Sequence, residues 1–428
     1  VERKTYLHPA ERYVTLRDNI EVVLGAQFSL LINFKTGGLH HLNQSASEIM
    51  KLFLSGSSIE QVLQHIHTNI DDVKCLLDEL HNLKLIDFTV KPGKAPDKDV
   101  VAARPELSFI WIEVTNHCNL HCIHCYAQAL SGPGNQPDAE QICSWLDQAA
   151  ALGCRKVQFT GGECTLRHDL IELFKYAKQT GFETIEIFTN GIGLNENLIR
   201  FLAENSIHVA LSLYSFNAAT HDRITGIPGS YEKTMSSLKY ILAYNVQVRG
   251  SIIALKQNEK EVNATRVFLE QLGVPSGPAD PIRPCGRGLD MTNWPSDYGL
   301  TFMRTTPDLI VDKQLYDTSL YWNNCWFGKA AITATGNVIP CVFAREQVAG
   351  NLNTHTLQEI LNNGLLSCWQ LSRDKITVCK DCEYRYLCKD CRPWAFGYTG
   401  DLIAKSPTCT YNPYTGEWSK AETAMNKK

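Results

Sequence analysis

Cys118-Asn119-Leu120-His121-Cys122-Ile123-His124-Cys125-Tyr126 decides how this chain reads. Its three thiols directly follow Phe109-Ile110-Trp111-Ile112, a short apolar run of the length and aromatic, β-branched content of a buried strand. A loop leaving a strand presents its side chains at that strand's C-terminal end. Three cysteines there bind three irons of a 4Fe-4S cluster and leave the fourth iron open to a bidentate small molecule. The competing reading is a structural zinc site completed by His117, His121 or His124.

Outward from this loop, residues 107 to about 284 alternate apolar runs with amphipathic stretches. The runs are Val157-Gln158-Phe159, Ile185-Glu186-Ile187-Phe188, Val209 to Leu213 and Val248 to Leu255; helices are predicted near Asp138–Leu152, Asp169–Lys178, Glu196–Glu204, Tyr231–Tyr244 and Lys260–Leu272. Repeating βα units imply a parallel sheet covered by helices, an open or closed barrel that binds at the C-terminal ends of its strands. A cysteine loop in that position suits a cofactor better than a structural zinc.

Ahead of this region, Tyr13-Val14-Thr15-Leu16 and Phe28 to Phe34 read as small strands, with turns at Asp18-Asn19 and Gly37-Gly38. Three helices follow: one capped by Asn43 or Ser45, one by Ser57 or Ser58, and one over Asp71–Leu83 with Val73, Leu76, Leu77 and Leu80 on one face. Strands plus three helices suggest a winged-helix-like module over 1–90, and the proline-bearing stretch 91–106 reads as a linker. The third helix is acidic (Asp71, Asp72, Asp78 and Glu79 against Lys74 and Lys84), which ill suits a nucleic-acid groove.

Bulk properties agree. The 428 residues are too many for one ordinary core, and a net charge of -4 gives no bulk reason to hold nucleic acid or an anionic membrane. No apolar run approaches the roughly 18 residues of a membrane span, and no signal-peptide core follows Val1, so a cytoplasmic location is expected. Of sixteen cysteines, eight lie from Cys325 to Cys409, a stretch poor in long periodic runs, so bound metal is expected to organise it.

The Cys118–Tyr126 stretch resembles the cluster loop of the radical S-adenosylmethionine (SAM) superfamily, and Thr160-Gly161-Gly162-Glu163 resembles its Gly-Gly-Glu motif. The resemblance implies a partial (β/α)6 radical SAM barrel over 107–284 in an α/β fold, with Cys118, Cys122 and Cys125 on a 4Fe-4S cluster. It also implies that Tyr126 flanks the cofactor, that Gly161, Gly162 and Glu163 hold the methionyl amino group, and that Asn190, Ser212 and Arg223 meet ribose or carboxylate. A carboxylate suits an ammonium partner, and glycines permit close backbone approach. The plain alternative for Asn190 and Ser212 is a strand-end turn.

Cys325-x10-Gly336-x4-Cys341, Cys379-x2-Cys382-x5-Cys388-x2-Cys391 and Cys409 resemble the seven-cysteine SPASM extension, placed over 324–428 after a bridging region 285–323. The resemblance implies two auxiliary 4Fe-4S clusters, the nearer on Cys325, Cys341 and Cys391 and the farther on Cys379, Cys382, Cys388 and Cys409. Only Lys389 and Asp390 precede Cys391, where the family commonly has three residues. A zinc ribbon on the two Cys-x2-Cys pairs is the alternative. The nearer cluster then lacks a fourth ligand, for which Cys285, Cys368 or a substrate thiolate is available. Cys164 reads as an acid/base or substrate-facing thiol or else an inert packed cysteine, and Cys75, Cys143 and Cys154 as core residues.

The first 90 residues resemble a RiPP recognition element, which binds the leader of a ribosomally made precursor peptide as an added strand. Together these likenesses imply a peptide maturase in which a 5′-deoxyadenosyl radical removes hydrogen from substrate, with flavodoxin or ferredoxin as a low-potential electron donor. A thioether cross-link is the first expectation, as in a sactipeptide; carbon–carbon cross-linking, epimerisation, work on a haem precursor and a non-enzymatic zinc adaptor are the others.

Overall fold

The structure, a computed structural model, describes residues 12–66, 69–92, 105–132, 135–296, 309–389 and 391–419; most of the expected linker, 93–104, lies outside them. The chain opens with β1 (Tyr13–Leu16), β2 (Ile20–Leu24), β3 (Ser29–Asn33) and β4 (Gly38–Leu42). It continues with α1 (Gln44–Leu54), α2 (Ile59–His65), α3 (Ile70–Asn82) and β5 (Ile86–Thr89). Strands β2, β3 and β4 form an antiparallel sheet, and β1 pairs with β5. Side chains with short polar groups start all three helices: Asn43 accepts from the Ala46 N–H, Ser58 forms a capping box with Gln61, and Asn69 accepts from the Asp71 N–H. Val73, Leu77 and Leu80 then pack with Ile49, Phe53 and Val62 in one small core.

The second unit is the expected barrel. Strands β6 (Phe109–Glu113), β7 (Lys156–Thr160), β8 (Thr184–Thr189), β9 (His208–Ser212) and β10 (Val248–Ser251) lie side by side and parallel. Helices α4 (Ala139–Ala151), α5 (Leu170–Gln179), α6 (Glu196–Glu204), α7 (Ala218–Thr225) and α8 (Ser230–Ala243) fall between them, and α9 (Val262–Gln271) follows. The sixth strand is vestigial: β11 (Ile253–Ala254) pairs in parallel with β12 (Asp280–Pro281) over two residues. Alternation along each strand sorts the faces. Ile110, Ile112, Val157, Phe159, Ile187 and Val209 join the helices in the main core. Glu113, Gln158, Thr160 and Glu186 alternate with them on the interior face, where Gln158 donates to Glu186 and Arg249 pairs with Glu186.

The cysteine-rich extension continues the same sheet. β13 (Lys329–Ile332) runs parallel to β6, followed by β14 (Asn337–Ile339) and β15 (Gly350–Asn351), both antiparallel to their neighbours. Hairpin β13–β14 turns at Gly336, whose φ of +81° suits glycine. The hairpin brings Cys325 and Cys341, on either side of it, to its open end. The extension also carries the N-terminal sheet: the Ala26 N–H donates to the Asp381 carbonyl (2.8 Å), Arg385 donates to the Leu24 carbonyl (2.8 Å), and His41 meets the buried Glu383 carboxylate (2.7 Å). Among the described residues no helix is long and apolar enough to cross a membrane.

Candidate active site

Backbone bonds fix the cluster loop on the barrel rim. The Cys118 N–H donates to the Leu130 carbonyl (2.8 Å), the His121 N–H to Thr225 (2.8 Å) and the Ile123 N–H to Ile224 (3.0 Å), so α7 carries one side of the loop. The end of β7 carries the other: the Gly162 N–H donates to the Thr115 carbonyl (2.7 Å) and the Glu163 N–H to His117 (2.8 Å). A Cβ on Gly161 would stand 2.3 Å from the Thr115 oxygen, and one on Gly162 2.1 Å from the His117 oxygen. The glycines are therefore required by the cluster loop's own backbone, an approach inside the protein as well as toward any ligand.

Two expected roles change, those of Cys164 and Cys75, and the Glu163 side chain is tied into the barrel rim. The Glu163 carboxylate is 1% exposed and already accepts from the Thr165 N–H (3.1 Å) and hydroxyl (2.7 Å), the Thr189 hydroxyl (2.5 Å) and the Asn190 N–H (2.8 Å). Burial raises its pKa, which these donors only partly offset, and through them the carboxylate ties β7 to β8. Cys164, read as a substrate-facing thiol, has no exposed surface; it packs in the main core with its sulfur 3.9 Å from the Phe188 carbonyl, and burial drives its pKa far up. It is a core cysteine at the start of the short helical turn Cys164–Leu166. Cys75, expected in a core, is exposed on α3, while Cys154 is buried and Cys143 half-buried.

Asn190, Ser212 and Tyr126 lie near the cluster loop, and Arg223 stands apart from them. Asn190 follows β8 and donates its amide to the Asn119 side chain (2.8 Å), which ties the turn after β8 to the cluster loop. Ser212 ends β9 and bonds Tyr214, whose ring stands edge-on to His124 at 4.6 Å. Arg223 is exposed on α7 and donates to the Gln257 carbonyl (3.1 Å). Tyr126 bonds the Thr160 hydroxyl (3.2 Å) and packs edge-on against Phe343 (5.2 Å), two residues beyond Cys341. Arg287, absent from the sequence reading, clamps the loop: its guanidinium donates to the Cys122 (2.8 Å) and Ala129 (3.2 Å) carbonyls, and its N–H to the Cys125 carbonyl (3.0 Å). Only the flanking glycines of Cys285-Gly286-Arg287-Gly288 hinted at this, and a Cβ on Gly286 would stand 2.4 Å from the Tyr126 oxygen.

The thiols suit a cationic iron cluster. Burial pushes Cys118 up to about 12 and Cys122 higher still, and Cys125 adds to both shifts. Clustered buried thiolates are costly unless a metal replaces their protons. The extension divides likewise: Cys341 feels Cys325 and Cys391, whereas Cys382 feels Cys379 and Cys388. Cys388 and Cys391, close in sequence, thus face different groups. Cys409 lies two residues before Tyr411, which packs against Tyr384 at 5.2 Å between Cys382 and Cys388.

Comparison with known proteins identifies both regions. The radical SAM superfamily profile matches residues 112–269, and that of an iron-sulfur cluster-binding domain, SPASM, matches 325–383. The protein is a radical SAM/SPASM enzyme. Its cofactors are SAM, the 4Fe-4S cluster of the radical SAM domain and the auxiliary iron–sulfur clusters of the SPASM domain. The radical SAM/SPASM enzyme is 24% identical over 337 residues to the AdoMet-dependent heme synthase of Methanosarcina barkeri, covering 70% of this chain and 95% of the relative. It is 26% identical over 295 residues to the antilisterial bacteriocin subtilosin biosynthesis protein AlbA of Bacillus subtilis (65% of this chain, 66% of AlbA). In fold it is similar to Streptococcus suis SuiB. With S-adenosylmethionine bound, SuiB superposes with TM-score 0.55 at 16% identity over 89% of this chain and 96% of SuiB. With its precursor peptide SuiA the values are 0.51 and 16%, over 92% and 98%.

Proposed function

We propose that this radical SAM/SPASM enzyme modifies a ribosomally made precursor peptide and forms a cross-link within it. The observation that carries the reading is the N-terminal module. The order β2-β3-β4 leaves β4 with no strand on its outer side among the described residues, and such an edge accepts an extended peptide through backbone bonds. Residues 1–90 would then be a RiPP recognition element that holds the leader while the core reaches the barrel mouth. Two likenesses support it: SuiB has been solved with a precursor peptide, and AlbA is named for bacteriocin biosynthesis.

In this reading Cys118, Cys122 and Cys125 hold the radical SAM cluster, with Cys325, Cys341 and Cys391 on the nearer auxiliary cluster and Cys379, Cys382, Cys388 and Cys409 on the farther. Bound SAM and its cluster supply a carbon radical able to take hydrogen from an unactivated carbon. The chain itself orients and shields. Asn190 and Ser212 line the cofactor's side of the mouth, Glu163 fixes the turns that carry them, and Tyr126 closes the interior beneath. Which bond forms depends on the nearer auxiliary cluster: an open iron favours a thioether from a substrate cysteine, a saturated one a carbon–carbon cross-link.

A second reading, action on a haem precursor, is favoured by the alignment with the heme synthase, which takes in almost all of that relative. It leaves the N-terminal module without a task. Anaerobic reaction of the full chain with the small peptide encoded beside it, and with that peptide's leaderless core, separates the two. A product two hydrogens lighter from the full peptide and a much slower reaction of the core support the proposal. Unchanged mass with both peptides and turnover of an iron porphyrin would replace it.

A further inference from the structure

The nearer auxiliary site has three cysteines for a cluster of four irons, and the structure brings one more thiol to it. Cys285 lies in the loop Arg283-Pro284-Cys285-Gly286, outside both cysteine motifs. The residues before it are packed on the site. Arg283 lies over the rings of Phe343 (4.9 Å) and Trp394 (5.8 Å), two residues after Cys341 and three after Cys391, and it hydrogen-bonds Cys391. Pro284 is locked there as well: a Cβ on Gly397, in the helix that Cys391 caps, would stand 2.0 Å from the Pro284 oxygen.

Cys285 itself is 9% exposed and within electrostatic reach of Arg283 and Cys391 first, then Arg345 and Cys125. A separate feature marks the pocket as built for sulfur. The indole N–H of the fully buried Trp326, next to Cys325 in the chain and close to Cys341, has no hydrogen-bond partner among the described residues. Arg283 on Cys391 and this unpartnered indole N–H put donors beside the thiols of this group, as around cluster sulfurs generally. Cys368, the other spare thiol, packs against the main core, and only burial perturbs it.

We propose that Cys285 is the fourth protein ligand of the nearer auxiliary cluster, which is therefore saturated. Its thiol gives a proton to solvent and the thiolate donates an electron pair to the iron left bare by Cys325, Cys341 and Cys391; no electron changes hands. The ligation does not depend on the substrate. If the peptide reading above also holds, a substrate thiolate finds no vacant iron at this cluster.

The test needs no peptide. Full-length protein is reconstituted anaerobically, alkylated with iodoacetamide and mapped by mass spectrometry, then compared with chelator-stripped protein. Cys285 should be shielded with Cys325, Cys341 and Cys391 and react after stripping, whereas Cys75 reacts in both. A second measurement uses the Cys118→Ala/Cys122→Ala/Cys125→Ala variant, which removes the other open iron. Its reduced electron paramagnetic resonance spectrum should ignore added 2-mercaptoethanol with Cys285 present and shift once Cys285→Ala is added. Labelling of Cys285 at equal rates in the two forms while Cys341 stays shielded, or a shift with Cys285 in place, overturns the proposal. Neither result bears on the peptide reading, which stands or falls on its own product analysis.

Discussion

The cluster loop at 118–125 and the far auxiliary group at 379–409 both present thiols, yet they are held by opposite means. The first hangs from strand ends and α7 by backbone hydrogen bonds, backed by two glycines and the Arg287 clamp. The second sits on short turns, with Tyr384, Tyr411 and Trp418 packed edge-on and tilted against one another beside it and the N-terminal sheet bound to its 381–385 segment. A barrel already folded can present a cradle before metal arrives; a loop region with little apolar core needs the metal to hold its shape. The difference implies that the first group keeps its geometry without metal better than the second.

Stripping the clusters should break this symmetry most visibly. Amide hydrogen exchange across 376–412 is expected to accelerate by about 100-fold or more, while strands β6 to β9 keep most of their protection. Equal loss in both regions would mean that the barrel also depends on metal. Gly162→Ala pushes the loop from inside the barrel, and a displacement of about an ångström there should slow SAM cleavage by ~100-fold with auxiliary iron retained. That pattern is read from 5′-deoxyadenosine yield and iron content together. Arg287→Met removes an outer support from the same loop and should weaken its cluster by ~10-fold, the range typical of residues behind a metal ligand. Iron release from the radical SAM site, followed by its paramagnetic signal, checks it. The smallest effect belongs to Lys51→Met, which deletes the bond from α1 to the Ala26 carbonyl beside the far group. A loss of about 1 kcal/mol in thermal stability is expected, with SAM cleavage unchanged.

Much of the architecture was legible because it is written locally. Strand runs, N-caps such as Asn43, Ser58 and Asp138, and the two cysteine motifs each occupy a few consecutive residues, and the structure puts elements where those signals lie. Long-range contacts were not legible. Nothing near Glu163 announces that Thr189 and Asn190 will donate to its carboxylate, and nothing near Cys164 says that it will pack in the core. Arg287 lies 165 positions from the Cys122 carbonyl it holds. The two-residue strand at Asp280–Pro281 is too short to carry a period, and the docking of β2 and β4 on the extension follows from side chains such as His41 and Arg385 that look solvent-facing in sequence.

Everything functional here rests on a three-thiol cradle that keeps one iron for SAM. The most direct measurement is 5′-deoxyadenosine formed by anaerobically reconstituted protein given SAM and a strong reductant, beside the same assay of Cys122→Ala. The account predicts steady formation by the wild-type chain and none above background by the variant, with auxiliary clusters retained in both. Equal yields from the two proteins, or none from the wild type with its clusters intact, would contradict it.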